Sequence, residues 1–142
     1  MAEKPMQLIR LARKFPEKLV SQIKKGTHTE DYVNHSVVAQ RILQVCGPFN
    51  WDTEVIYSEN VPCAVKGTIT VSIDGTPVKV TGIGTDQNNN KEIGDQIKEM
   101  ESDALKRAAS RIGVGLHLWA QQQYFLFPQL LQDHEVASED VK

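Results

Sequence analysis

The residues able to act on a charged ligand lie in one short stretch, 101–116, where Lys106, Arg107 and Arg111 stand among apolar positions. Apolar residues recur at Ile93, Ile97, Met100, Ala104, Ala108 and Ile112, the spacing of one helical stripe. Arg107 and Arg111 are four apart and project from one side of that helix, near the edge of the stripe. A cation beside a buried face must find an anion, either a neighbouring carboxylate or a phosphate. Asp103, four residues before Arg107, supplies the first as an ordinary helix pair worth roughly a few tenths of a kcal/mol.

Other chemistries find no support. Asp74 falls in a turn, Asp86 and Glu92 flank an asparagine loop, and no carboxylate–lysine set falls on adjacent strands as a metal-dependent nuclease would need. There is no glycine-rich phosphate loop followed by Lys and Ser or Thr, and no nucleophile elbow. Cys46 and Cys63, with His28, His35, His117 and His134, match no zinc spacing. The reading is therefore a non-enzyme without cofactor or metal. Two scattered thiols, no signal-peptide pattern at the N-terminus and no apolar run of membrane-spanning length suit a reducing, cytoplasmic setting.

With 142 residues, 40% of them apolar and 24% charged, the chain has the size and composition of one globular domain. Its net charge of −2 alone argues against a nucleic-acid binder, but the distribution does not. Residues 1–26 carry seven Lys and Arg against two Glu, whereas residues 133–142 carry four acids against one Lys. Screening makes such local charge dominate over the total. Lys24 and Lys25 add cations near the basic end; Lys66 and Lys79 add them to a wettable strand face. Trp51, Trp119, Tyr124 and Phe125 read as core or subunit-contact residues rather than as stacking platforms, and Trp119 and Phe125 are expected between subunits.

These side chains need elements to position them. Leu8, Leu11 and Phe15 predict a short helix over 5–15; Pro16 suits the first turn of a second, with Leu19, Val20 and Ile23 apolar and Gly26 its stop. Residues 27–31 read as a polar link. Val37, Val38, Ile42 and Val45 predict a helix over 34–46, ended by Gly47 and Pro48. Three strands follow, at 51–58, from 65 to 73 and at 78–83. In the second, Val65, Gly67, Ile69, Val71 and Ile73 alternate with polar residues, and Asp74-Gly75 is a hairpin turn. An asparagine within 86–90 can cap a long helix over 91–112. Gly113 and Gly115 break it, and a helical segment over 116–127 stops at Pro128. The predicted fold is α+β: a helix, a three-stranded antiparallel β-sheet and a long packed helix, with N- and C-terminal helical segments. Its parts are a basic helical segment, 1–26, a β-β-β-α domain, 27–128, and an acidic disordered tail, 129–142.

In that order, Asp103, Ala104, Leu105, Lys106, Arg107 and Ala108, with Gly113 a turn later, resemble the signature of the Rad52 family of single-strand annealing proteins. Tyr32, Val33, Asn34 and His35, leading through a helix to Cys46, Gly47, Pro48, Phe49, Asn50 and Trp51, resemble the family's tyrosine-led helix. Residues 65–84 resemble its central hairpin. The likeness covers roughly residues 24–127.

The resemblance implies a ring-forming homo-oligomer whose basic groove holds single-stranded DNA and anneals complementary strands without ATP in recombination and repair. It places Lys106 and Arg107 on the DNA backbone, and Lys24 or Lys25 across the groove. Where relatives often carry a further arginine this chain has Ser110; Arg111 follows, about 100° further round the helix. The chain lacks the long C-terminal extension of eukaryotic relatives, as expected of a short phage or bacterial module in the (host) cytoplasm. A host single-strand-binding protein or an exonuclease are the partners such a module would meet. Two other readings stand beside it. A double-stranded RNA-binding domain shares the α-β-β-β-α order. A structural oligomer without nucleic acid would be marked by an Asp103–Arg107 salt bridge together with no salt-dependent DNA binding.

Overall fold

In the computed structural model, which describes residues 6–86 and 91–141, the core is built around a long antiparallel meander. Strand β3, Asn50–Ser58, pairs with β4, Val61–Ile73, and β4 pairs with β5, Thr76–Gly84. Asp74 and Gly75 form the two-residue turn between β4 and β5, both at positive φ (51° and 81°), with Ile73 opposite Thr76. That conformation matches the right-handed twist of the flanking strands, which is why an Asp-Gly pair fixes the register. The alternation along β4 is realised: Val65, Ile69, Val71 and Ile73 are buried, while Lys66, Thr70 and Ser72 face out.

Helix α3, Ile93–Ser110, crosses the apolar face of this sheet. Gly82 and Gly84 let it approach: a Cβ at Gly82 would strike the backbone at Ala104 and Ala108, and one at Gly84 the backbone at Met100 and Ala104. Small residues on both sides of the seam, glycine on the strand and alanine on the helix, thus set the height of α3 above the sheet. Gly67, the cross-strand partner of Gly82, makes room for the Trp51 ring, which lies over it.

Helix α2, His35–Cys46, starts from an Asn34 cap that accepts from the Ser36 amide at 2.8 Å and packs Val38, Ile42 and Val45 into the same core. Helix α1, Gln7–Ala12, is pinned at both ends. The Asp74 carboxylate accepts from the Gln7 and Leu8 amides at 2.7 and 3.3 Å, and the Asp74 amide donates in turn to Gln7 Oε1 at 2.6 Å. Arg41 donates to the carbonyls of Arg10, Leu11 and Arg13, covering the orphan acceptors where the helix stops.

Two expectations fail. The second N-terminal helix is absent: after a 3₁₀ turn at Glu17–Leu19, the chain forms strand β1, Ser21–Lys25, which pairs with β2, His28–Tyr32, across a tight turn at Gly26 and Thr27. The polar link is therefore a strand. None of its positions is buried, so there was no buried face to impose an alternating pattern. The long helix begins at a Glu92 cap without a side-chain cap bond, and the asparagines proposed to cap it, Asn88 to Asn90, lie outside the described residues. The second failure is at the C-terminus. Short helix α4, Leu116–Ala120, and a 3₁₀ turn lead into helix α5, Leu126–Val141, where a disordered tail was expected. Pro128 stands in the first turn of α5, where its missing N–H costs nothing, rather than at a helix end.

Candidate nucleic-acid interface

The β1–β2 hairpin and the C-terminal end of α3 face each other across a cleft of about 440 Å³. The hairpin contributes Ile23, Glu30, Asp31 and Tyr32; α3 contributes Asp103, Lys106 and Arg107; α4 and its continuation contribute Leu118, Trp119 and Gln121. Two glycines make this possible. Beyond Arg111, which caps α3, Gly113 and Gly115 take positive φ, 91° and 72°, and fold the chain back so that α4 lies beside the helix it follows.

Each of the two central cations rests on an aromatic ring. Lys106 Nζ lies 4.2 Å from the centre of the Tyr32 ring, and the Arg107 guanidinium 4.9 Å from that of Trp119. Both distances are within the range in which a cation is held by the ring quadrupole. Arg107 also donates through Nε to Asp103 Oδ2 at 3.0 Å, and the same oxygen accepts from the Thr85 amide at 3.1 Å. The salt bridge that the structural-oligomer reading requires is thus present, but it occupies Nε alone. Among the described residues nothing hydrogen-bonds the two terminal nitrogens of Arg107, whose side chain is 47% exposed. Those nitrogens can donate the bidentate contact for which guanidinium suits phosphate.

The charges are not uniform. Glu30 and Asp31 stand on the hairpin wall and the cations on the helix wall. Beyond Arg107 lies a second hollow of about 510 Å³, lined by Gly82 and Ile83 at the β5 edge, by Arg107, Ser110 and Arg111, and by Leu116 and Trp119. It contains two arginines and no acid. Arg107 and Trp119 border both spaces.

On the far side of the hairpin root, His117 closes a small polar and aromatic node. Its Nε2 accepts from the Phe15 amide at a long 3.4 Å, which leaves its proton on Nδ1, a buried atom with no partner among the described residues. The imidazole stands 5.6 Å from the Phe15 ring and 5.8 Å from that of Tyr124, whose hydroxyl donates to the Ala12 carbonyl. Burial first, then the positive charges of Lys14 and Arg41, push its pKa down to about 4. His117 is neutral at physiological pH and positions the segment leading into the hairpin.

Of the six site residues expected from sequence, Lys106 and Arg107 border the cleft, and Arg107 and Arg111 border the second hollow. Lys24 is exposed on β1 opposite Thr29, one residue from Ile23, so it faces away from the side of the hairpin that lines the cleft. Lys25 ends β1 opposite His28. Lys66 does not join the group: it projects from the face of β4 opposite to the one α3 covers, beside Glu54 of β3. Tyr32 and Trp119 are the lining residues that sequence reasoning did not assign. The available signal for Trp119 was the glycine pair behind a basic helix, which returns the next aromatic to that helix.

Among the described residues, no helix is long and apolar enough to cross a membrane. No curated protein matches the chain. The family model described as Rad52/22 family double-strand break repair protein matches residues 6–135, which include the hairpin, the sheet, α3 and α4.

Proposed function

From the premise that this chain belongs to the Rad52/22 family of double-strand break repair proteins, we propose that it binds single-stranded DNA along the cation edge of α3 and anneals it to a complementary strand. The observation that carries this reading is the pairing of Lys106 with Tyr32 and of Arg107 with Trp119 at the border of an open cleft. Cations held on rings are aimed before a ligand arrives, so little side-chain order has to be lost on binding.

Annealing needs no bond chemistry and no nucleotide. Lys106 and Arg107 take successive phosphates in the cleft, with Arg111 beyond them, while Glu30 and Asp31 repel the backbone from the hairpin wall and keep it on the helix. The bases turn outward, and pairing with the second strand supplies the driving energy. A few phosphate contacts are weak alone; a homo-oligomeric ring repeats them, and multivalency makes a protein of net charge −2 an effective binder. Each contact adds a slope of about −0.7 in log affinity against log salt on single strands. The thiols of Cys46 and Cys63, both free, suit action in a reducing cytoplasm.

The test is ATP-free annealing of two labelled complementary strands at low and moderate salt. Acceleration over the spontaneous rate, weakened by salt and abolished by Lys106→Glu with Arg107→Glu in an oligomer of unchanged size, is the expected result. Binding of A-form RNA duplex in preference to single strands would return the double-stranded RNA reading. No binding of either would leave a structural oligomer.

A further inference from the structure

Trp119 is 49% exposed although its ring stacks on Arg107, and it borders two spaces rather than filling one. A core or buried contact residue would present its ring to neighbouring apolar atoms; this one stands as a partition between the acidic-walled cleft and the acid-free hollow. That hollow has an apolar floor at Ile83, which is itself exposed, two guanidinium groups at its border and an indole on its side. An anionic ligand with a flat apolar body matches each of these. Resting on the proposed function, we infer that the hollow between the β5 edge and α4 is a nucleotide subsite, in which Trp119 carries a base and Arg111 takes an adjacent phosphate.

The assignment explains two features together. Arg111 points away from Lys106 and is poorly placed for the cleft, but it borders the hollow with Arg107. A base resting on a ring keeps its hydrogen-bonding edge uncovered, so a platform here holds the strand without competing with pairing. Stacking is tolerant of sequence because every base has a π-face.

A short thymidine oligonucleotide and a deoxyribose-phosphate chain of equal length lacking bases are titrated against the wild type, Trp119→Phe, Trp119→Ala and Arg111→Gln. The thymidine chain should quench tryptophan emission in the wild type, and Trp119→Phe should remove that quench while retaining affinity, because Trp51 is packed in the core. Trp119→Ala should lose about 5- to 150-fold more in affinity for the thymidine chain than for the baseless chain, the effect of deleting one base–aromatic stack. Arg111→Gln should weaken both. Equal weakening of both chains by Trp119→Ala would make Trp119 a prop for Arg107 and overturn the subsite. A smaller assembly of Trp119→Phe in light scattering would make it a subunit contact and do the same. Unchanged thymidine binding by Trp119→Ala sinks the subsite alone, whereas a wild type that binds neither chain sinks the proposed function with it.

Discussion

Asp103 holds Arg107 by one nitrogen only, and it does so with the oxygen that also receives the Thr85 amide at the end of β5. The carboxylate therefore ties α3 to the sheet and aims the guanidinium, yet as a charge it competes with any phosphate for the same cation. Asp103→Asn keeps an acceptor and removes the charge. It should change stability by no more than about 0.5 kcal/mol in urea unfolding, the usual worth of such a pair, and raise single-strand affinity at low salt. Reduced affinity would mean that the ion pair is needed to orient Arg107.

The glycine seam predicts opposite signs for one substitution at two sites. Gly84→Ala drives a methyl group into the α3 backbone and should cost about 1–3 kcal/mol or more. It should also weaken strand binding, because α3 carries Lys106 and Arg107. Gly94→Ala, in the first turn of the same helix with nothing within 4 Å of the new Cβ, should stabilise by about 0.4–1 kcal/mol. Thermal unfolding of the two variants side by side checks both.

Asp74 has two duties, the turn between β4 and β5 and the N-terminal amides of α1. Asparagine is also at home in a turn of this type and can still accept, so Asp74→Asn should lose less than Asp74→Ala. For the alanine variant the loss of cap alone should be about 1 kcal/mol. Equal losses in urea titrations would show that the negative charge at the helix start, rather than the turn, carries the effect.

His117 gives a pH signature. Its folded pKa, about 4, lies below the ordinary value of 6.5, so the unfolded chain binds the extra proton between those limits. The contribution of this residue to stability is fully present above pH 6.5 and is lost as pH falls towards about 4. Melting temperatures followed across that window should decline, and His117→Gln should flatten the part of the decline that belongs to this site.

The sheet was legible because each of its strands has one face to bury: alternation in β4 and the Asp-Gly turn identify the hairpin, and the stripe from Ile97 to Ala108 identifies α3. The β1–β2 hairpin was not. Leu19, Val20 and Ile23 fall at spacings a helix would also give, and Gly26 serves equally as helix stop or strand turn. What makes this segment a ribbon is tertiary, with Phe15 fixed by His117 before it and Val33 buried after it. The cations on α3 were readable from their own helix. Their aromatic partners were not, since Tyr32 and Trp119 reach them from 74 residues upstream and 12 downstream along the sequence. That Lys66 would lie apart from the α3 cations was not readable for a simpler reason: a lysine on a wet strand says nothing about which face of the sheet a ligand meets.

Those two anchors determine how the cleft can behave. Phe15 and the Asn34 cap fix the two feet of the ribbon, while Lys24 and Gly26 to Thr29 at its far end are exposed. An antiparallel pair of strands standing apart from any larger sheet twists easily. The opening beside Tyr32 therefore has the stiffness of the core, and the opening beside Gly26 only that of two strands. A chain sliding in from the tip would pass from a compliant entrance to an unyielding seat.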